Sequence, residues 1–284
     1  MKTCYLCKEK EVKNLLDFGL QPICNNFLKH ADEKEYKHPL IVGQCQACGL
    51  VQLINPVPVI KLKPHYHWIT YSEPEEHLDH LADIIADLKG LNKKSKICGI
   101  SFKDDSLLDR LKKRGFQNSW RLDLKGDLDI KDPHIGIETI QDKFTLKTVK
   151  KITQKHGRVD VIIARHILEH TQNMSNFMMA LKEIITPQGY IVIEVPDCKR
   201  ALEQLDYTSI WEEHIFYFTP ETFHQSFTSN GFLLKHFENF PYPLENSLVG
   251  IGQQKKDAKN AIHSFPKKNI LEKEKYRALV FSEE

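Results

Sequence analysis

The sequence predicts an α/β protein, a Rossmann-like doubly wound sheet with a small N-terminal zinc-binding module. Three observations carry that reading. From Ser95 onward, apolar runs of strand length alternate with amphipathic helical stretches, the pattern of a parallel sheet with helices on both faces. Five of the seven cysteines fall in the first fifth of the chain, and four of these form two CxxC pairs. The 284 residues, 41% hydrophobic and 27% charged, are enough for a substantial core.

The N-terminal module comes first, as residues 1–56. "CYLC" supplies Cys4 and Cys7, and "CQACGL" supplies Cys45 and Cys48. Two residues between thiols let both sulfurs converge on one ion, and four thiolates complete a closed tetrahedral site, so this zinc is expected to be structural. Metal binding would replace the core that about fifty residues cannot build alone. Cys24, in "GLQPICNNF", reads as a small packed residue rather than a fifth ligand.

Residues 57–92 read as a linker and helical lid segment. "LVQLINPVPVIKLKP" is extended and broken by three prolines. A helix follows, with Leu78, Leu81, Ile84, Ile85 and Leu88 on one face and Gly90 near its end. His77 and His80, three apart with an acid between, read as a solvated face of that helix.

Residues 93–252 carry the Rossmann-like core. "SKICGISFKDDSLLDRLKKRGF" reads as strand, polar turn and helix, and "SWRLDL" as a strand ending in Asp123. "RVDVIIA" forms the next strand. A helix in "SNFMMALKEII", a turn at Pro187–Gly189 and the strand "YIVIEV" follow. Ligands of such sheets bind at the carboxyl ends of the strands, here Gly99–Asp105, Asp123, Ala164–His170 and Glu194–Asp197. The turn "SFKDDS" contains no glycine, although a cofactor loop generally needs close backbone approach. Residues 253–284 read as a charged helical tail.

The net charge of +2, with lysines scattered among acids, gives no footprint for nucleic acid. No apolar run is long enough to span a membrane and the N-terminus has no apolar signal core, so a cytoplasmic location is expected.

"DVIIARHILEH…NFMMALKEIITPQGYIVIEVPD" resembles the matching half of class I S-adenosylmethionine-dependent methyltransferases. "CxxC…QPICNNF…CQACGLVQL" and "WEEHIFYFTPETFHQSFTSNGF" resemble the zinc module and catalytic segment of one branch, the zinc-containing deoxysugar C-methyltransferases. The likeness covers roughly residues 1–250 in order.

That resemblance implies S-adenosylmethionine as cofactor and a sugar or nucleotide-sugar as substrate. It makes His214 the general base, with Glu213 beside it. Ser101, Asp104, Asp123, Ala164 and His166 fall at the cofactor positions, with Asp123 the ribose acceptor. Tyr71, Ser72, His170, Trp211 and Tyr217 fall at substrate or lid positions. Trp211 stands where the family often has tyrosine, so oxyanion stabilisation is expected from Tyr217, Tyr71 or His166. The acceptor is a carbon next to a ketone or a hydroxyl. Gly99 and Ser101 depart from the family's acid and first glycine, which predicts weaker or differently posed cofactor binding. Family members commonly carry a further C-terminal domain. Its lack here implies either a different substrate or a second subunit completing the acceptor site. The competing expectation is a catalytically degenerate methyltransferase fold acting as a binding or accessory subunit.

Overall fold

The protein is described here from a computed structural model covering residues 2–9, 11–24, 26–63, 73–132 and 135–255. Tyr71, Ser72 and most of the expected C-terminal helix lie outside these residues.

The N-terminal sheet holds β1 (Val12–Pro22), β2 (Lys37–Cys45) and β3 (Val51–Leu53), antiparallel in that order. Five residues separate β2 and β3, with the second CxxC pair running from the last residue of β2, Cys45, to Cys48 in that turn. The proline-rich stretch read as a linker thus begins inside the sheet. After it come α1 (Leu78–Ala86), β4 (Ile97–Gly99), α2 (Asp105–Lys113) and β5 (Ser119–Arg121). Helices α3 (Ile137–Lys143) and α4 (Leu146–His156) lead into β6 (Val159–Arg165). Next are α5 (Met174–Ile184), β7 (Ile185–Asp197), α6 (Lys199–Gln204) and β8 (Phe216–Tyr217). The described chain closes with α7 (Pro220–Ser229), β9 (Phe232–Phe240) and β10 (Asn246–Gln254).

The second sheet has the order β5-β4-β6-β7-β10-β9. Strands β5, β4, β6 and β7 are parallel, and the β9–β10 hairpin adds β10 antiparallel to β7. Alternation along each strand sorts its side chains to two faces. Val161, Ile163 and Val192 pack under α1 and α2, while Ile162, Ala164 and Ile193 belong to the larger core with α3, α4, α5 and α7. This is the doubly wound architecture.

Three local expectations are corrected. The Pro187–Gly189 turn is a bulge inside β7: Ile185 pairs with Val159, and pairing resumes with Tyr190 opposite Val161. Asp123 lies two residues beyond β5 rather than ending it. His77 is not solvated; it is 5% exposed, stacked on Phe240 and in contact with Tyr242.

The N-terminal module is completed from far along the chain. β8 pairs with β3, Val51 opposite Tyr217 and Gln52 opposite Phe216. The Trp211–Phe232 stretch is therefore anchored to the cysteine-bearing sheet at one end and packed through α7 on the large sheet at the other.

Candidate methyl-transfer site

The cysteine cluster is built by two matching turns. In each, the residue after the second cysteine takes a left-handed conformation, Lys8 at φ 67° and Gly49 at φ 83°. Each turn closes by a backbone hydrogen bond, Lys8 N to Cys4 O and Gly49 N to Cys45 O. Buried Gln52 accepts the Tyr5 amide at 3.0 Å, and buried Gln44 donates to the Gly49 carbonyl at 2.9 Å, locking both turns to the sheet. Cys4 and Cys48 sulfurs lie 3.6 Å apart, as do those of Cys7 and Cys45. Tetrahedral Zn–S bonds near 2.3 Å require about 3.8 Å between sulfurs, so the donor set fits zinc. The Leu6 amide points at the Cys4 sulfur.

At the end of β4, the glycine-free turn is held by its own acid. Ser101 and Asp104 form a reciprocal capping box at the head of the helical segment. Asp104 Oδ2 accepts the amides of Ile100 at 2.7 Å and Ser101 at 2.8 Å, and Oδ1 accepts that of Arg165 at 2.9 Å. Gly99 makes room for this: a Cβ there would stand 2.7 Å from the Asp104 Cβ. Burial, outweighing those amide hydrogen bonds, lifts the Asp104 pKa to about 7. Asp123, exposed beyond β5, accepts the Gly126 amide through Oδ1 at 2.6 Å. Ala164 is buried within β6.

Under the carboxyl edge of the sheet lies a charged network centred on Glu194. The Arg165 Nε donates to its Oε2 at 2.6 Å, and Ser247 Oγ donates to its Oε1 at 3.0 Å. Nε2 of His166 and of His77 each stand 3.1 Å from Oε1. Burial pushes Glu194 up, but Arg165 and His166 outweigh it and hold the carboxyl well below its usual range. Burial pulls His166 down, and the Glu194 charge overrides it, raising His166 to about 10. His166 has φ 47°, an uncommon conformation for a side-chain-bearing residue that directs attention to its position. It lines a cleft of about 770 Å³ between Glu73, Glu75, Tyr242 and Glu245.

The second gathering is Glu169, His170 and His214, whose ligating atoms lie within 4.8 Å of one another. The His170 and His214 rings meet edge-on, centroids 4.7 Å apart. Burial lowers His170, but Glu138, 3.0 Å from its Nδ1, leaves the pKa raised. Burial and the neighbouring His170 charge hold His214 below the ordinary histidine value.

The structure thus brings His170 and His214 together, and links Ser101 and Asp104 through one cap. It does not offer Tyr217 as a free donor: the buried hydroxyl receives the Trp211 amide at 3.1 Å and donates to the Trp211 carbonyl at 2.9 Å. Trp211 is 46% exposed. Cys24 is exposed rather than packed; its amide and thiol both donate to Glu212, at 2.6 and 3.2 Å. Glu169 and Glu138 were not singled out by sequence reasoning. The "LEH" triplet held the only signal for the former, and nothing local marked the latter.

Residues 4–62 match the family described as "Putative zinc binding domain", and residues 106–236 match the family described as a methyltransferase domain. The chain thus matches, in order, a family described as a putative zinc-binding domain and a methyltransferase domain. Among curated proteins it is similar to the C-methyltransferase NovU of Streptomyces niveus, 23% identical over 232 residues, which are 80% of this chain. The match spans 55% of NovU, about half the length of that relative. Similar solved structures include a 1,6-didemethyltoxoflavin-N1-methyltransferase of Burkholderia thailandensis, 11% identical with a TM-score of 0.39, covering 72% of this chain and 96% of that one. Another is CalO1, a methyltransferase in calicheamicin biosynthesis, 12% identical with a TM-score of 0.38, covering 62% of this chain and 54% of that one. No helix among the described residues is long and apolar enough to cross a membrane.

Proposed function

We propose that the protein catalyses methyl transfer from S-adenosylmethionine to a sugar or sugar-nucleotide acceptor, at a carbon next to a ketone or at a hydroxyl, with His214 as general base. The observation that carries this reading is the placement of His214. The segment bearing it is pinned to the carboxyl edge of a methyltransferase-type sheet by the Ile215 amide, which donates to the Glu169 carbonyl at 2.8 Å. The likeness to a C-methyltransferase supports the reaction class.

Asp123 is the residue this reading sets against the nucleoside half of the cofactor. Asp123 stands exposed two residues past the strand beside β4, with the Gly126 amide fixing one oxygen, where a carboxylate can accept ribose hydroxyls. His166 lines the cleft at the same edge, while Ser101, Asp104 and Ala164 lie fully buried behind it, where they would shape the backbone rather than touch the cofactor with their side chains. When bound, the cofactor supplies an electrophilic methyl group. The chain's own task is alignment and proton removal. His214 would take the acceptor's proton through a ring nitrogen, with Glu213 and His170 orienting it. His166 would serve the cofactor side and could stabilise a developing oxyanion. Tyr71 and Ser72 would close the lid, and Trp211 would face the sugar. A soluble, cytoplasmic enzyme with a nucleotide-sugar partner, completed or not by a second subunit, is the setting this reading implies.

The second reading, a degenerate accessory subunit, is favoured by the turn after β4: the Ile100 and Ser101 amides are already satisfied by Asp104. Calorimetric titration of the metal-replete protein with S-adenosylmethionine and S-adenosylhomocysteine separates the two. Micromolar binding lost in Asp123→Ala, with methyl transfer to a keto-sugar nucleotide lost in His214→Ala, is expected. No heat and no thermal shift at millimolar ligand would give the accessory reading the lead.

A further inference from the structure

We propose that Glu169, His170 and His214 form a binding site for a divalent transition-metal ion, separate from the four cysteines. One ligand atom from each residue lies within 4.8 Å of the others. Metal–nitrogen and metal–oxygen bonds near 2.1 Å put tetrahedral ligands about 3.4 Å apart, so side-chain rotations that bring the three atoms closer by up to about 1.4 Å close the site.

Glu169 supplies the independent observation. It is 1% exposed, and neither carboxylate oxygen makes a hydrogen bond among the described residues. The ion-pair contacts of its Oε1 are His166 Nδ1 at 3.7 Å and His170 Nε2 at 4.0 Å, both beyond hydrogen-bonding reach. Leaving both oxygens of a buried carboxylate unbonded is costly, and a shared cation satisfies them. His170 has the matching arrangement. Its Nδ1 faces Glu138 Oε1 at 3.0 Å, and Glu138 is itself 5% exposed. That leaves Nε2 turned toward Glu169. A carboxylate behind an imidazole fixes ring and tautomer for ligation by the other nitrogen. The His214 ring meets that of His170 edge-on, at 87°, with a ring nitrogen of each within 4.8 Å of the other and of a Glu169 oxygen.

Two imidazoles and a carboxylate, without thiolate, suit Zn²⁺, Mn²⁺, Fe²⁺ or Co²⁺ rather than Ca²⁺ or Mg²⁺. Three protein ligands leave a coordination position open. One consequence rests on the proposed function: a His214 nitrogen bound to metal has no lone pair for a proton, so this ion and the free base exclude one another, and loading the site inhibits methyl transfer. The metal site itself does not depend on that reading.

The test is Co²⁺ titration of the full chain with metal analysis by mass spectrometry, on wild type and Glu169→Gln. Cobalt–thiolate charge-transfer bands in the near ultraviolet report the cysteine site alone. Two equivalents in wild type and one in Glu169→Gln, with the thiolate bands unchanged, are expected. One equivalent in both overturns the proposal. Should Glu169→Gln not fold, Glu138→Gln serves instead, with second-site affinity expected to fall about 10- to 100-fold; unchanged affinity there counts against the site. Two ions bound without inhibition of transfer would leave the metal site standing and overturn His214 as the free base.

Discussion

The two clusters of candidate ligands are held in different ways. The four cysteines hang from two short turns, each closed by its own backbone hydrogen bonds and joined by one small sheet. Glu169, His170 and His214 converge from the end of β6 and the approach to β8, and their supporting carboxylate, Glu138, comes from α3. The first cluster is a local device whose geometry is written in a few residues. The second exists only while the whole core is folded. Its neighbours must also balance charge at depth, which is why Arg165, Glu194 and His166 form one network beside it.

The largest effect is expected at the cysteines. Cys45→Ser, or a strong chelator, removes the ion that substitutes for a core, and structural zinc contributes about 10–16 kcal/mol of binding energy in small zinc peptides. Limited proteolysis should cut residues 1–56 first while the large sheet keeps its own melting transition. If both regions melt together, the β3–β8 pairing has merged them and the contrast fails.

Arg165→Met comes next. It leaves Glu194 fully buried without its guanidinium partner, and breaking a buried pair in this way costs about 3–5 kcal/mol. Urea denaturation should register that loss. Adding Glu194→Gln should restore part of it, because the uncompensated charge is then gone.

The smallest effect is a pH dependence at Asp104. Its folded pKa of about 7 lies above the ordinary 3.8, so between those values the native state binds more protons than the unfolded chain. Its contribution to stability is therefore present below pH 3.8 and is lost as pH rises through about 7. The stability difference between wild type and Asp104→Asn, followed by thermal melts from pH 4.5 to 8, should move against wild type as pH rises. A constant difference would mean that the three amide hydrogen bonds outweigh burial.

Much of the fold was legible because it rests on short-range chemistry. The CxxC spacing brought out the cysteine turns, and the strand–helix alternation from β4 to β7 brought out the doubly wound sheet. The site was legible only in outline. His77 sits at the head of an amphipathic helix and reads as solvated, yet Phe240 and Glu194, more than a hundred residues away, bury it. Tyr217 looked like a spare hydroxyl until the turn from Trp211 folded back onto it. Cys24 looked packed, and its partner Glu212 lies 188 residues further on.

The sequence by itself determined the cysteine site and the strand–helix alternation from β4 to β7, because residue spacing and hydrophobic period act within a few residues of the chain. Only the tertiary structure decided that β8 closes the N-terminal sheet, that Asp104 fills the space above Gly99, and that Glu138, Glu169, His170 and His214 share one buried corner. Those outcomes depend on which distant surfaces exclude water together, and on which buried charges must then find one another.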